Sequence, residues 1–233
     1  MNQQQTVLKN IEFKGQGLHT GNFVNMSIKP AKEDFGIYFK RIDCSPPILI
    51  KVDISNVKQT LRGTTLSKSN ENIHTIEHLL SALYALQIDN ALIEIDGDEI
   101  PILDGSSKIF VEKILAAGIK KLDKEAEYIE ISEPIESESS NGTSKIKILP
   151  YNGYKISFSI DFENELIGKQ TYILESLDGY VKNISESRTF CTIDEVLNLR
   201  SQGLIKGGNS DNAIIFSDRN TDNNKISKIK YLY

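Results

Sequence analysis

His74-Thr-Ile-Glu77-His78-Leu-Leu-Ser81-Ala-Leu83 decides how the first half of this chain is read, together with Ala91-Leu-Ile-Glu-Ile95 a little further on. At 3.6 residues per turn, Ile73, Ile76, Leu79, Leu80, Leu83 and Leu86 gather on one helix face. His74, Glu77, His78 and Ser81 fall on the opposite face. The pattern predicts an amphipathic helix over 75–86 followed by a strand at 90–95. Two of the chain's 3 histidines flank a carboxylate here. An imidazole that can hold a metal, next to a carboxylate that can take a proton from water, is the minimum set for metal-assisted hydrolysis. An ordinary solvated helix face gives the same spacing, so the flanking sequence has to decide.

Outward from this stretch the chain alternates apolar and polar residues. Residues 5–13 and 22–29 read as strands around Gly15-Gln-Gly-Leu-His-Thr-Gly21, with further strands near 35–40 and 59–67. The segment 43–55, with Pro46-Pro47, reads as an excursion of short irregular strands. Ser106 is a candidate N-cap for a helix at 108–117 that stops at Gly118. Lys120 to Glu127 is charged and lacks glycine and proline, and is taken as a linker between a first domain, 1–119, and a second, 128–233. In the second domain strands are expected at 128–132, 144–150, 154–161, 169–174 and 213–216, with a helix at 193–202. Both halves thus run as several strands, a helix and a strand, which favours an α+β class over a doubly wound sheet.

Composition narrows the function. The 233 residues are 39% hydrophobic and 25% charged, and the formal net charge is −5. That charge argues against a nucleic-acid binder, which carries a basic patch. No apolar run approaches the roughly 18 residues needed to span a bilayer. Met1-Asn-Gln-Gln-Gln5 shows neither half of a secretory signal. Cys44 and Cys191, far apart, suit reduced thiols in a cytoplasmic protein.

Taken singly, the remaining motifs are weak. Gly15–Gly21 lacks the spacing of a phosphate loop and fits a tight hairpin connection. Arg188-Thr-Phe190 fits a strand end. Taken together they are specific: Gly15-x-Gly-Leu-His-Thr-Gly21, Arg62-Gly-Thr-Thr-Leu66, His74-Thr-Ile-Glu-His78, Ile88-Asp-Asn90, Glu99-Ile-Pro-Ile-Leu-Asp-Gly-Ser106, Arg188-Thr-Phe190 and Gly203-Leu-Ile-Lys-Gly-Gly208. From about Lys9 to Phe216 the chain resembles the zinc-dependent UDP-3-O-acyl-N-acetylglucosamine deacetylases of lipid A synthesis. It looks most like the form fused to a 3-hydroxyacyl carrier-protein dehydratase.

The resemblance implies two similar α+β domains, each a β-sheet with helices, the helices sandwiched between the two sheets. It implies Zn2+ as cofactor, with His78 as a metal ligand and Glu77 as the general base. Thr189 corresponds to the catalytic hydroxyl near the developing oxyanion, and Phe190 and Leu18 to substrate contacts. The segment after Thr192 corresponds to an inserted β-α-β element forming an acyl-chain passage, with Val196, Leu197, Leu199 and Leu204 as apolar walls. The implied partner is the UDP-linked acylated glucosamine substrate, met in the cytoplasm with transient contact at the inner membrane surface; no nucleic acid and no transmembrane segment are expected.

One departure stands out. The family's other two zinc ligands come from a His-Lys-x-x-Asp segment, and its amine-protonating histidine lies further downstream. This sequence has no histidine after His78, and Asp211, Asp218 and Asp222 lack the motif's spacing. The second domain is therefore expected to be incomplete, as in a truncated chain, and the polypeptide inactive as it stands. The alternatives are an H-x-x-E-H metallopeptidase using His74, Glu77 and His78, and a non-catalytic remnant of the deacetylase fold.

Overall fold

A computed structural model describes residues 2–216; the tail from Ser217, including Asp218 and Asp222, lies outside the described residues. The first half contains β1 (Gln3–Val7), β2 (Ile11–Gln16), β3 (Phe23–Pro30), β4 (Ile37–Arg41), β5 (Ile48–Lys51), β6 (Val57–Gln59), β7 (Thr65–Lys68) and β8 (Glu71–Ile73). Helix α1 (Glu77–Ala85), β9 (Ala91–Ile95), α2 (Lys108–Ala117) and β10 (Ile119–Glu125) follow. The second half contains β11 (Ile135–Glu138), β12 (Lys145–Ile148), β13 (Ile156–Asp161), β14 (Lys169–Leu174), α3 (Asp178–Asn183), β15 (Phe190–Thr192), α4 (Ile193–Ser201) and β16 (Ile214–Phe216). The architecture is α+β.

A five-stranded sheet in the order β2-β3-β9-β4-β5 carries the first half, antiparallel except for the β4–β9 pair. Its register aligns Ile11, Ile28, Ile93, Phe39 and Ile50 in one row across all five strands. Each of these side chains is buried. Burying such a side chain is worth roughly 1.5–3 kcal/mol, and a one-residue slip would turn the row to water, so the hydrophobic pattern fixes the pairing. On the other face Glu94 of β9 pairs with Lys29 and Lys40 from the neighbouring strands.

Helices α1 and α2 cover the apolar row with Leu79, Ala82 and Leu83, and with Phe110, Val111 and Ile114. Phe13 and Phe110 meet at 5.1 Å between ring centroids. The same core continues into the second half through Leu174 and Tyr180. Tyr180 donates to Ser81 Oγ at 2.7 Å, and the Tyr154 ring lies 5.6 Å from that of Tyr84 on α1. The helices of the first half thus meet the second half directly.

Several sequence expectations change. The strand expected over 5–13 is two, β1 and β2, which belong to different sheets. Residues 120–127, read as a linker, are mostly β10, which pairs antiparallel with β1. Its charges face water while Leu122 is buried, a polar strand whose partner is distant in sequence. The expected strand over 59–67 is two strands, β6 and β7, with the turn 60–64 between them, and 128–132 forms none. Helix α3 was not foreseen; it has six residues, too few to show a helical period. Gly118 ends α2 as expected, with a φ of 84°.

Candidate active site

The corner between β8 and α1 assembles the histidines and carboxylates. His74 still belongs to the strand side: its N–H donates to the Asp98 carbonyl at 2.8 Å and its own carbonyl accepts from Ile100 N–H at 3.1 Å. Thr75 then takes a φ of +61°, a left-handed conformation that strains a β-branched residue. After this reversal the helix begins at Glu77. His74, Glu77 and His78 therefore do not share one helix face, a correction to the sequence reading. The His74 ring pairs with Thr65 Oγ1 at 2.9 Å instead, and the helical H-x-x-E-H site of a metallopeptidase is not formed. Burial pushes the His74 pKa down, against the pull of Asp98 and Glu99.

Glu77 is held from the turn between β6 and β7. Its Oε2 accepts from Thr64 N–H at 2.9 Å. A side chain on Gly63 would stand 3.3 Å from Glu77 Oε1, and this glycine has a φ of +157°. The Gly-Thr pair thus lets backbone approach a carboxylate and aim it. His78 is next on the helix. Burial depresses its pKa, and the negative charges of Glu77 and Asp104 oppose this. The result is a neutral imidazole with a lone pair to offer.

Beneath the corner lies Glu99, fully buried and with no cation beside it among the described ion pairs. It accepts from His19 N–H (2.9 and 3.2 Å to its two oxygens), Thr20 N–H (2.8 Å), Thr20 Oγ1 (2.7 Å) and Thr75 Oγ1 (2.8 Å). A Cβ on Gly17 would sit 2.3 Å from Glu99 Oε2, which explains the glycine. This one carboxylate fixes both the Gly-Leu-His-Thr-Gly loop and the strained Thr75. His19 Nε2 lies 3.1 Å from the Arg62 carbonyl, which can only accept, so Nε2 carries the proton. His19 Nδ1 is buried without a partner.

The second half reaches the corner through Arg188-Thr-Phe190. Arg188 donates from Nε to the Asp104 carbonyl at 2.7 Å, and Thr189 N–H donates to the Gly105 carbonyl at 2.8 Å. Consecutive residues thus bond to the loop whose Asp104 charge acts on His78. Beyond Thr189, β15 and β16 pair parallel across α4, giving a β-α-β unit. Thr192 and Glu195 form a capping box at the start of α4. Leu18, Thr189, Phe190, Val196, Leu199 and Ile205 are among the lining of an apolar cavity of about 80 Å3 under this unit. Phe190 is stacked edge-on between Phe162 (5.5 Å) and Phe216 (5.8 Å).

Of the residues expected in a site, Leu18, Thr189 and Phe190 line one cavity, while Glu77 and His78 are outside its lining and are tied to the neighbouring loops through Thr64 and Asp104. Sequence reasoning assigned no role to His19, Thr64, Glu99 or Asp104, although each stands in a motif quoted above. Their role is to hold other groups, which spacing does not show. For zinc, His78 is a fitting donor, but among the described residues no three His, Cys, Asp or Glu side chains gather as a metal-binding group. The described residues do not complete a three-ligand zinc site. Cys44 and Cys191 are both free thiols.

A carboxylate and an imidazole thus stand together at the start of α1, and Thr189 and Phe190 border an apolar cavity. The family model described as UDP-3-O-acyl N-acetylglycosamine deacetylase matches residues 4–230. A UDP-3-O-acyl-N-acetylglucosamine deacetylase of Bdellovibrio bacteriovorus is 40% identical over 221 residues, 94% of this chain and 72% of its own. One from Saccharophagus degradans is 41% identical over 218 residues, 92% of this chain and 71% of its own. The bifunctional enzyme LpxC/FabZ of Chlorobaculum tepidum is 39% identical over 227 residues, 97% of this chain and 49% of its own. This chain belongs to the UDP-3-O-acyl N-acetylglycosamine deacetylase family.

Proposed function

We propose that this chain carries the substrate-binding and base-bearing part of a deacetylase that removes the N-acetyl group from UDP-3-O-acyl-N-acetylglucosamine in lipid A biosynthesis. One observation carries the reading: Thr189, in the wall of the apolar cavity, donates its N–H to the Gly105 carbonyl, in the loop whose Asp104 charge acts on His78. The acyl chain occupies the cavity and Phe190 borders the sugar. Glu77, aimed by Thr64 N–H, accepts a proton from the attacking water. The Thr189 hydroxyl lies on the side where the amide oxygen gains charge. His78 is the zinc donor, and further donors must join it before the metal is held. The reaction belongs in the cytoplasm, with the acylated substrate drawn from the inner membrane surface; no helix among the described residues is long and apolar enough to cross a membrane.

The test is calorimetric titration of the 233-residue chain with UDP-3-O-acyl-N-acetylglucosamine and with UDP-N-acetylglucosamine. The acylated ligand should bind at least about tenfold more tightly, since a few buried methylenes at ~0.8 kcal/mol each suffice. Leu18→Asp should erase that difference. Equal affinity for the two ligands would overturn the reading. Zinc measured on the same dialysed protein should fall well below one ion per chain, and a full equivalent would show that the donor set is complete.

A further inference from the structure

The apolar cavity has a second chamber behind it. A separate cavity of about 540 Å3 lies on the other side of three residues that line both: His19, Arg62 and Leu199. Its walls are mixed, with the exposed Leu61 and the half-buried Leu204 as apolar patches among Thr20, Gln59, Asn198 and Gln202. The first chamber, at about 80 Å3, is about half the ~150 Å3 of an engineered cavity that admits one benzene. It therefore takes only a few carbons of an acyl chain, and a longer chain must pass the shared wall.

That wall is fastened by one ion pair. Arg62, held at a φ of +61°, donates from Nη1 to Glu195 Oε1 at 2.7 Å, joining the turn between β6 and β7 to the first turn of α4. Its carbonyl accepts from His19 Nε2, so the same residue also seats the imidazole in the wall. The Arg62 and Glu195 side chains are 44% and 30% exposed, and an ion pair this open to water is easily parted. Leu199 lies on the same helix as Glu195.

We infer that the Arg62–Glu195 pair is a latch between the two chambers and sets the length of acyl chain the site accepts. The inference rests on reading the small cavity as the acyl site. With the pair closed, carbons beyond the first chamber find no apolar space. With it open, the chain runs past Leu199 between Leu61 and Leu204.

Calorimetric titration with straight-chain fatty acids from hexanoate to hexadecanoate, below their micellar range, tests this on the 233-residue protein. In the native sequence affinity should stop rising once the first chamber is full. In Arg62→Ala it should keep rising, by up to about fourfold per added methylene where the carbon is fully buried. Glu195→Gln is the second variant, because glutamine keeps the capping box of α4 while removing the charge, and it should behave as Arg62→Ala does. Adding Leu204→Phe to Glu195→Gln should bring the plateau back. The same length profile in all of these proteins would overturn the latch. Absence of fatty-acid binding in every one would instead remove the acyl-site reading on which it rests.

Discussion

Glu99 offers a direct measure of how the site is held. Its carboxylate takes hydrogen bonds from four donors on two loops and is fully buried. Hydrogen bonds to a charged group contribute about 1.5–3 kcal/mol each, against about 0.5–1.5 between neutral partners. Glu99→Gln keeps the shape and removes the charge. Losing about 1 kcal/mol of charge assistance at each of four donors gives an upper figure of ~4 kcal/mol, and rotation of the Thr75 hydroxyl to accept from the new amide brings it to about 2–4. Glu99→Ala strands all four donors and should cost more, about 5 kcal/mol, comparable to the whole stability of many domains. Urea unfolding reads both as a fall in midpoint at unchanged slope. Hydrogen exchange adds the location: amides of His19 and Thr20 should open early in Glu99→Gln while those of β3 and β9 stay protected. A glutamine variant within about 0.5 kcal/mol of the parent would refute the account of a carboxylate that organises the loop.

Joining residues 1–216 to the remaining C-terminal segment of the Bdellovibrio bacteriovorus relative should give a protein that holds zinc and deacetylates. In that chimera Glu77→Gln should keep the metal and lose about 10²-fold or more in turnover, whereas His78→Ala loses both. His74→Ala should leave zinc content nearly unchanged, and equal loss in the two histidine variants would contradict the corner geometry. Stability should also depend on pH through His74, whose folded pKa lies below its ordinary 6.5 because of burial. The unfolded chain binds that proton more readily, so the contribution is intact above about pH 6.5 and is lost as pH falls through the depressed folded value. Asp98 and Glu99 resist the shift while His19 and Arg41 add to it. Urea midpoints from pH 7.5 to 5 should fall more steeply in the parent than in His74→Gln; parallel curves would count against it.

The sheet was legible because its strands alternate cleanly: Ile11, Phe13, Met26, Ile28, Ile93 and Ile95 all point one way at period two. The apolar face of α1 was legible for the same reason at period 3.6. What the period could not show is where the helix starts. His74 fits the helical spacing, yet the left-handed Thr75, held by Glu99 from 24 residues away, cuts it off. Strand β10 escaped because its only buried side chain is Leu122 and its partner lies at the other end of the half. In the candidate site, motif order singled out Glu77, Thr189 and Phe190 as the groups proposed to meet substrate. It was silent on Thr64 and Arg62, whose contacts to Glu77 and Glu195 exist only once the turn at 60–64 is folded.

The pairing of β1 with β10 brings Gln3 opposite Glu125, and Ala126 N–H donates to the Asn2 carbonyl at 2.8 Å. The stretch from 2 to 126 therefore closes on itself like a ring with a clasp. Its ends could be spliced together and new ones opened at an exposed turn such as Ser69-Asn70, leaving every rung of the ladder in place. Whatever polypeptide follows is attached beside the point where the ring began, so it can be exchanged or lengthened without threading through the first half.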